Sequence, residues 1–551
     1  MTAASRHKSI APRLRSRAGI RLGVAAVAAV LLALVVPGTA APQFGNLVVD
    51  TTADGNDGEC NNDCTLREAI ALADPAQGQW VSIRPGVYRL TLGPLVLQND
   101  IVFGVSFTGQ SSSGARTTVI DARGASRAVE VQSGSSATLA GLTITGGNAA
   151  NGGAAFVPDG AQLSLYDTII EGNVATGRGG ALDVGGNVSL FHSTVSGNRA
   201  AQGGGIAIAA GGNIGVFYST FSGNTASSTG GAISSAGTGQ LQRVTIAGNT
   251  APADAGGGIY VETPDGAAIA MWSTLLARNS SACGGFTSSR NPWTANLSDD
   301  ASCAFATGQG TVAADPGLGG LANNGGPTDT HALLAGSPAI DTGDQSLCSP
   351  GSPDQRHAPS TNPCDIGAFE FGARPPAPQL PPPVSGETVN VNRSRGIVKV
   401  KIPGSDEFFD LEQAQQVPVG STFDTSRGRV NLVAAGRQKS WFYEGVFRLR
   451  QGRGARPLTT VTLTGQLDCG RGGASTAQRK KKKRRLWGDG KGKFRTKGEF
   501  SSATVRGTRW LVEDRCNGTL TRVRKGRVAV RYRGQTIILR AGRQFFAKRR
   551  R

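Results

Sequence analysis

The chain has 551 residues, including 79 glycines, eight cysteines and four histidines, and carries a formal net charge of +20. That length exceeds one ordinary domain, and so few histidines leave little material for a metal or general-base centre. The sequence holds no G-x-S-x-G elbow, HExxH pair, Walker loop or dinucleotide fingerprint, which excludes the common nucleophile, zinc-hydrolase and nucleotide chemistries.

The charge is divided along the chain. Residues 1–40 hold six basic side chains, residues 41–383 carry a net −13, and residues 384–551 a net +27. The first segment places its cations between Arg6 and Arg21, then an apolar run from Gly23 to Val36 and small residues at Gly38 and Ala40. It reads as a Sec-type signal peptide cleaved after Ala40, too short in its apolar run to be an ordinary membrane span. In an exported chain the cysteines are expected as disulfides: Cys60 with Cys64, Cys283 with Cys303, Cys348 with Cys364, and Cys469 with Cys516.

After a short strand at Leu47–Val49, the acidic stretch Asp54 to Glu59 lacks a full calcium-loop ligand set and reads as a solvated turn. Thr65-Leu66-Arg67-Glu68 is a capping box, opening a helix to about Ala73 with a stripe of Leu66, Ala69, Ile70 and Ala73. Short strands follow at Val81–Arg84, Val87–Leu92, Leu95–Leu97, Thr118–Ile120 and Val129–Val131, punctuated by Gly and Pro.

From Thr143 the sequence repeats itself. Asn148, Asn173, Asn198, Asn224, Asn249 and Asn279 each end a phrase of Thr, an apolar residue and a turn, at spacings of 25, 25, 26, 25 and 30. Glycine runs at 179–180, 204–205, 230–231 and 257–258 alternate with them. Alternating short apolar runs at this period predict a right-handed parallel β-helix domain over residues 41–373, with about ten coils between Trp80 and about Gly320, each rising about 4.8 Å. The asparagines are expected to stack as one structural column. Ile144, Ile169, Val195, Phe221, Ile246 and Leu275 are expected as an inward one, with the capping helix closing the first coil.

Two residues before each repeat Thr stand Tyr166, His192, Tyr218, Arg243 and Trp272. Pointing outward, they would form a ribbon for sugar rings or a partner's edge; a slip of one residue would turn Leu165, Phe191, Phe217 and Met271 outward instead. No catalytic set, metal site or cofactor is assigned. Asp167, Glu171, Asp183 and His192 do not recur in register, and Asp299-Asp300 is the one adjacent carboxylate pair of the repeats.

The stretches Asn323 to His331, Gly336 to Asp341, Asp354-Gln355-Arg356 and Cys364 to Glu370 resemble the closing segment of choice-of-anchor Q surface proteins. Cys64 to Ile70 resembles the CSLREA motif, and the Gly/Asn phrases resemble the repeats of chlamydial polymorphic outer-membrane proteins. The resemblance implies a parallel β-helix on a bacterial surface and supplies no catalytic residues.

Residues 374–383 are Pro-rich and read as a semi-rigid spacer. Beyond them, residues 384–551 alternate apolar residues with Arg or Lys, predicting a smaller β-sandwich-like domain with a basic face; Val417 to Val430 resembles the FecR family. Arg479, Lys480, Lys481, Lys482, Lys483, Arg484 and Arg485 form a cation run, expected as a solvated loop that meets a polyanion such as an envelope polymer. The whole reads as a non-enzymatic, secreted or cell-surface rod for glycan or partner binding. A polysaccharide lyase or hydrolase, or a FecR-like sensor, are the alternatives.

Overall fold

The computed structural model describes residues 47–549 except 62, 75–78, 105–114, 263–267, 287–292, 349–351, 377–379, 406–407, 412–413, 456, 466, 468, 470–482 and 506. The signal segment 1–40 and Arg479 to Lys482 therefore lie outside the described residues.

Residues 47–312 wind into a parallel β-helix of three long sheets with nine, ten and eight strands. The first sheet includes Gln162–Tyr166, Asn187–Phe191, Asn213–Phe217, Thr238–Gln242 and Ala268–Trp272; the second includes Thr194–Ser196, Thr220–Ser222, Thr245–Ala247 and Leu275–Ala277. The third sheet limits the complete coils to about eight. An even 25 residues per coil overcounts, because the step from Phe103 to its partner Leu139 takes 36 residues and that from Ile246 to Leu276 takes 30.

Register explains the two slips in the predicted columns. The inward column of the second sheet is Ile144, Ile170, Val195, Phe221, Ile246 and Leu276. Ile169 and Leu275, expected inside, point out and are buried from the other side. Three residues beyond each inward residue comes the asparagine slot. Asn173, Asn198, Asn224, Asn249 and Asn279 fill it, whereas Asn148 falls one place late; Gly147 occupies its slot and Asn148 is exposed.

From Asn198 onward each asparagine Oδ1 accepts from the backbone N–H and the Nδ2 of the asparagine one coil earlier, at 2.9–3.1 Å between Asn198 and Asn224 and 2.9 Å between Asn224 and Asn249. Each Nδ2 also donates to a backbone carbonyl of the previous coil, as Asn224 does to Val195 at 2.9 Å. At the opposite corner Gly152, Gly179, Gly203, Gly230 and Gly256 all take φ of 61–66°. A Cβ on Gly203 would stand 2.2 Å from the Ile206 carbonyl, so only glycine closes this turn.

The predicted cap is present. Leu66–Leu72 is helical, with the reciprocal Thr65–Glu68 box and Leu66, Ala69 and Ile70 in the coil core. The acidic stretch before it is exposed from Asn56 to Glu59, as expected of a solvated turn, and is latched at its start. Asp54 accepts from Arg67 Nε at 2.9 Å and from the Leu92 N–H at 2.8 Å, and Glu68 accepts from the Asp57 N–H at 2.9 Å. Thr65→Ala removes the acceptor for the Glu68 N–H and is expected to cost about 1 kcal/mol, read as a lower urea midpoint.

After the last coil, residues 313–373 run over the outward face of the second sheet. Leu318, Leu333, Ala339, Ile366 and Phe369 form a separate core with Ala247, Leu275, Ala277 and Leu297 of the rod. Residues 388–548 then form one 15-stranded sheet, antiparallel except where Thr459–Leu463 pairs with Phe494–Lys497, and coiled round a single core. Val87 of the second sheet's first strand belongs to that core, and Arg84 pairs with Glu387 at 3.3 Å. The described ends of the Pro-rich segment both make contacts: the Pro381 carbonyl accepts from Asn390 and Gln416, and Pro375 packs at Gly325.

Candidate functional site

The predicted ribbon divides into two columns. In the first sheet Tyr166, Phe191, Phe217, Gln242 and Trp272 are in register, at the last outward position of their strands. All five are half-exposed. Tyr166 stacks on Phe191 at 4.8 Å and Phe191 on Phe217 at 4.9 Å, the spacing of neighbouring strands. Phe217 leans across Gly215, where a Cβ would meet its ring at 2.8 Å. Beside the rings run Ser164, Ser189 and Gln240, then Gln162, Asn187, Asn213 and Thr238, with Asn213 Nδ2 donating to Thr238 at 2.7 Å. This strip, two strand positions apart in each step, is flat, uncharged and repeated coil by coil.

His192, Tyr218 and Arg243 stand one residue further on, in register with Asp167 and Ser273. All five take φ of 48–52°, turning the corner between the first two sheets. Residues 313–373 pack against this corner: Arg243 is fully buried, whereas His192 and Tyr218 stay partly exposed, as the rings of the strand face do. Arg243 and Glu370 are fully buried and joined at 2.7 Å, with the Arg243 guanidinium also over the Tyr218 ring. Thr328 Oγ1 donates to the His192 carbonyl at 2.7 Å, and Gln355 Nε2 to Thr194 Oγ1 at 3.0 Å. Asp354 holds Arg356 at 2.6–2.8 Å, and Arg356 lies 3.6 Å over Phe369. The residues that carry the choice-of-anchor Q resemblance are therefore the ones that fasten this segment to the rod.

At the same corner His357 Nε2 meets Asp167 Oδ1 at 2.7 Å, and the His192 and His357 rings lie 4.4 Å apart. Burial, then the neighbouring His357, hold His192 down to about 3, so its imidazole is neutral. His357 is raised above its ordinary value: burial opposes its charge, but the adjacent Asp167 carboxylate outweighs it.

The carboxylate pair Asp299-Asp300 serves turns. Asp299 accepts from the Arg278 N–H, and Asp300 from the Ala282 and Ser302 N–H groups at 2.8 Å. All four disulfides join the predicted partners.

In the basic domain the described end of the cation run is strand rather than loop. Arg484 pairs with Asp514 at 2.9 Å and Glu499 at 2.6 Å, and Arg485 with Glu444 at 2.9 Å, leaving Lys483 exposed at the strand start. Alternating outward positions of adjacent strands instead assemble Trp441, Tyr443 and Trp487 with Arg429, Lys439 and Arg509. Arg429 lies 5.2 Å over Trp441, and Arg509 lies 6.0 Å over Trp487. The only sequence signal for this patch is Trp441-Phe442-Tyr443, which alternates out, in, out and puts two rings on one face.

A family model described as the right handed beta helix region matches residues 103–271, just under a third of the chain, and accords with the coils described above. No curated protein and no solved structure matches.

Proposed function

We propose that the chain is a non-enzymatic binding rod, exported and displayed at a cell surface, that holds an extended neutral polymer, a glycan first, along the outward face of its first sheet. The carrying observation is the half-exposed Tyr166–Phe191–Phe217 stack beside columns of Ser, Asn and Gln, repeating at one strand spacing. A periodic face of rings and amides suits a periodic ligand: apolar ring surface meets the sugar C–H groups, while amides exchange hydrogen bonds with hydroxyls. Among the described residues, 313–373 and the basic domain both pack on the second sheet. Four disulfides suit an oxidising compartment. The signal-like residues 1–40 and the resemblance to choice-of-anchor Q proteins favour the same location.

The C-terminal domain contributes a second contact, to an acidic envelope polymer, through its Trp441, Tyr443, Trp487, Arg429 and Arg509 patch. Cations over ring faces give both charge and a flat platform.

Affinity electrophoresis through gels containing neutral or acidic polysaccharides tests both contacts. Phe191→Ala with Phe217→Ala is expected to weaken retention by a neutral polymer about tenfold, at about 0.5–1.5 kcal/mol per ring contact, with no change in folding. Retention by the acidic polymer should fall steeply with salt. Retention unaltered in the double variant would remove the first sheet from the proposal.

A further inference from the structure

We propose that Asp167, His192 and His357 form a binding site for one transition-metal ion of the zinc class, pinning residues 313–373 to the corner of the rod. Each offers one ligand atom, and the three atoms lie within 4.8 Å of one another. Two come from successive coils, Asp167 and His192 being register partners, and the third from the covering segment. The site therefore exists only when that segment is in place.

The donor chemistry fits. Two imidazole nitrogens and a carboxylate oxygen are the set that binds zinc with an open fourth position, at about 2.0–2.1 Å per bond. A tetrahedral ion with such bonds separates its ligand atoms by roughly 3.3 Å. The Asp167–His357 contact of 2.7 Å needs only a small opening to admit it. His192 Nε2 supplies the independent observation. It is shut off from solvent and has no hydrogen-bond partner among the described residues, although the ring sits between Tyr218 at 5.3 Å and His357 at 4.4 Å. A buried imidazole nitrogen left without a partner is costly. A metal ion facing Asp167 and His357 gives its lone pair an acceptor.

The proposal does not depend on polymer binding by the first sheet. The full exported chain, without a histidine tag and cleared by chelator, is titrated with Zn²⁺ by calorimetry and with Co²⁺ by visible absorption. One ion per chain is expected, with intense Co²⁺ bands of tetrahedral type and a higher melting temperature with Zn²⁺. His192→Phe keeps a stacked ring and removes both ring nitrogens, Nε2 among them. It should fold as well as the parent, because Nε2 has no partner to lose, yet lose the Zn²⁺-dependent melting shift and the Co²⁺ bands. His357→Ala should lose both as well. Failure of the parent chain to bind either ion, or a melting shift unchanged in His192→Phe, overturns the site.

Discussion

Asn224→Ala is expected to lower the stability of the rod by about 3–5 kcal/mol, the cost of leaving two or three buried polar groups without partners. The side chain serves both neighbouring coils. Its Oδ1 accepts from the Asn198 N–H at 3.1 Å and Asn198 Nδ2 at 2.9 Å, and its Nδ2 donates to the Val195 carbonyl and to Asn249 Oδ1, both at 2.9 Å. Alanine strands the Asn198 N–H in a place water cannot reach, since Asn198 and Asn224 are both buried. Asn148→Ala is the matched control: its side chain is exposed and makes one bond, to the Gly124 carbonyl at 3.2 Å. That change should stay within about 0.5 kcal/mol. Urea unfolding measures both, and hydrogen exchange should show the Asn224 variant loosening first between residues 195 and 225. Equal costs at the two positions would mean that the ladder contributes no more than a surface asparagine.

These two asparagines also show how much the repeat made legible. Period, sheet type, capping helix and disulfide partners follow from spacing and residue type, because each depends on neighbours one coil or one turn away. Register within the phrase does not follow. Thr143 to Asn148 spans one residue more than Thr194 to Asn198, and only the count from the inward isoleucine shows that Gly147 takes the slot. The same one-residue ambiguity merged two columns into one ribbon, mixing Tyr166 and Trp272 of the strand face with His192, Tyr218 and Arg243 of the corner. Left-handed backbone at those three residues has no sequence signal, since the position accepts Asp, His, Tyr, Arg and Ser alike. Ion pairing was hidden at the described end of the cation run for another reason: Arg484 and Arg485 find acids that are distant in sequence. What covers the corner was also hidden. Residues 354–370 have no periodicity to announce that they return across coils more than a hundred residues earlier.

The buried Arg243–Glu370 pair fastens that return, and breaking it should release residues 313–373 before the coils unfold. Both side chains are fully buried, 2.7 Å apart. Removing one partner of such a pair costs about 3–5 kcal/mol, because the other charge stays desolvated. In Arg243→Met the Glu370 carboxylate stays buried with only its Thr361 and Asp365 donors. In Glu370→Gln the guanidinium cannot shed its proton, so the penalty persists from pH 8 to pH 5. Combining the two changes removes both charges and should recover most of either loss, a coupling of about 0.5–3 kcal/mol. Limited proteolysis reports the release: cleavage within 313–373 should be fast in each single variant and slow again in the double one. Additive effects, or cleavage beginning in the coils, would show that this pair does not hold the segment down.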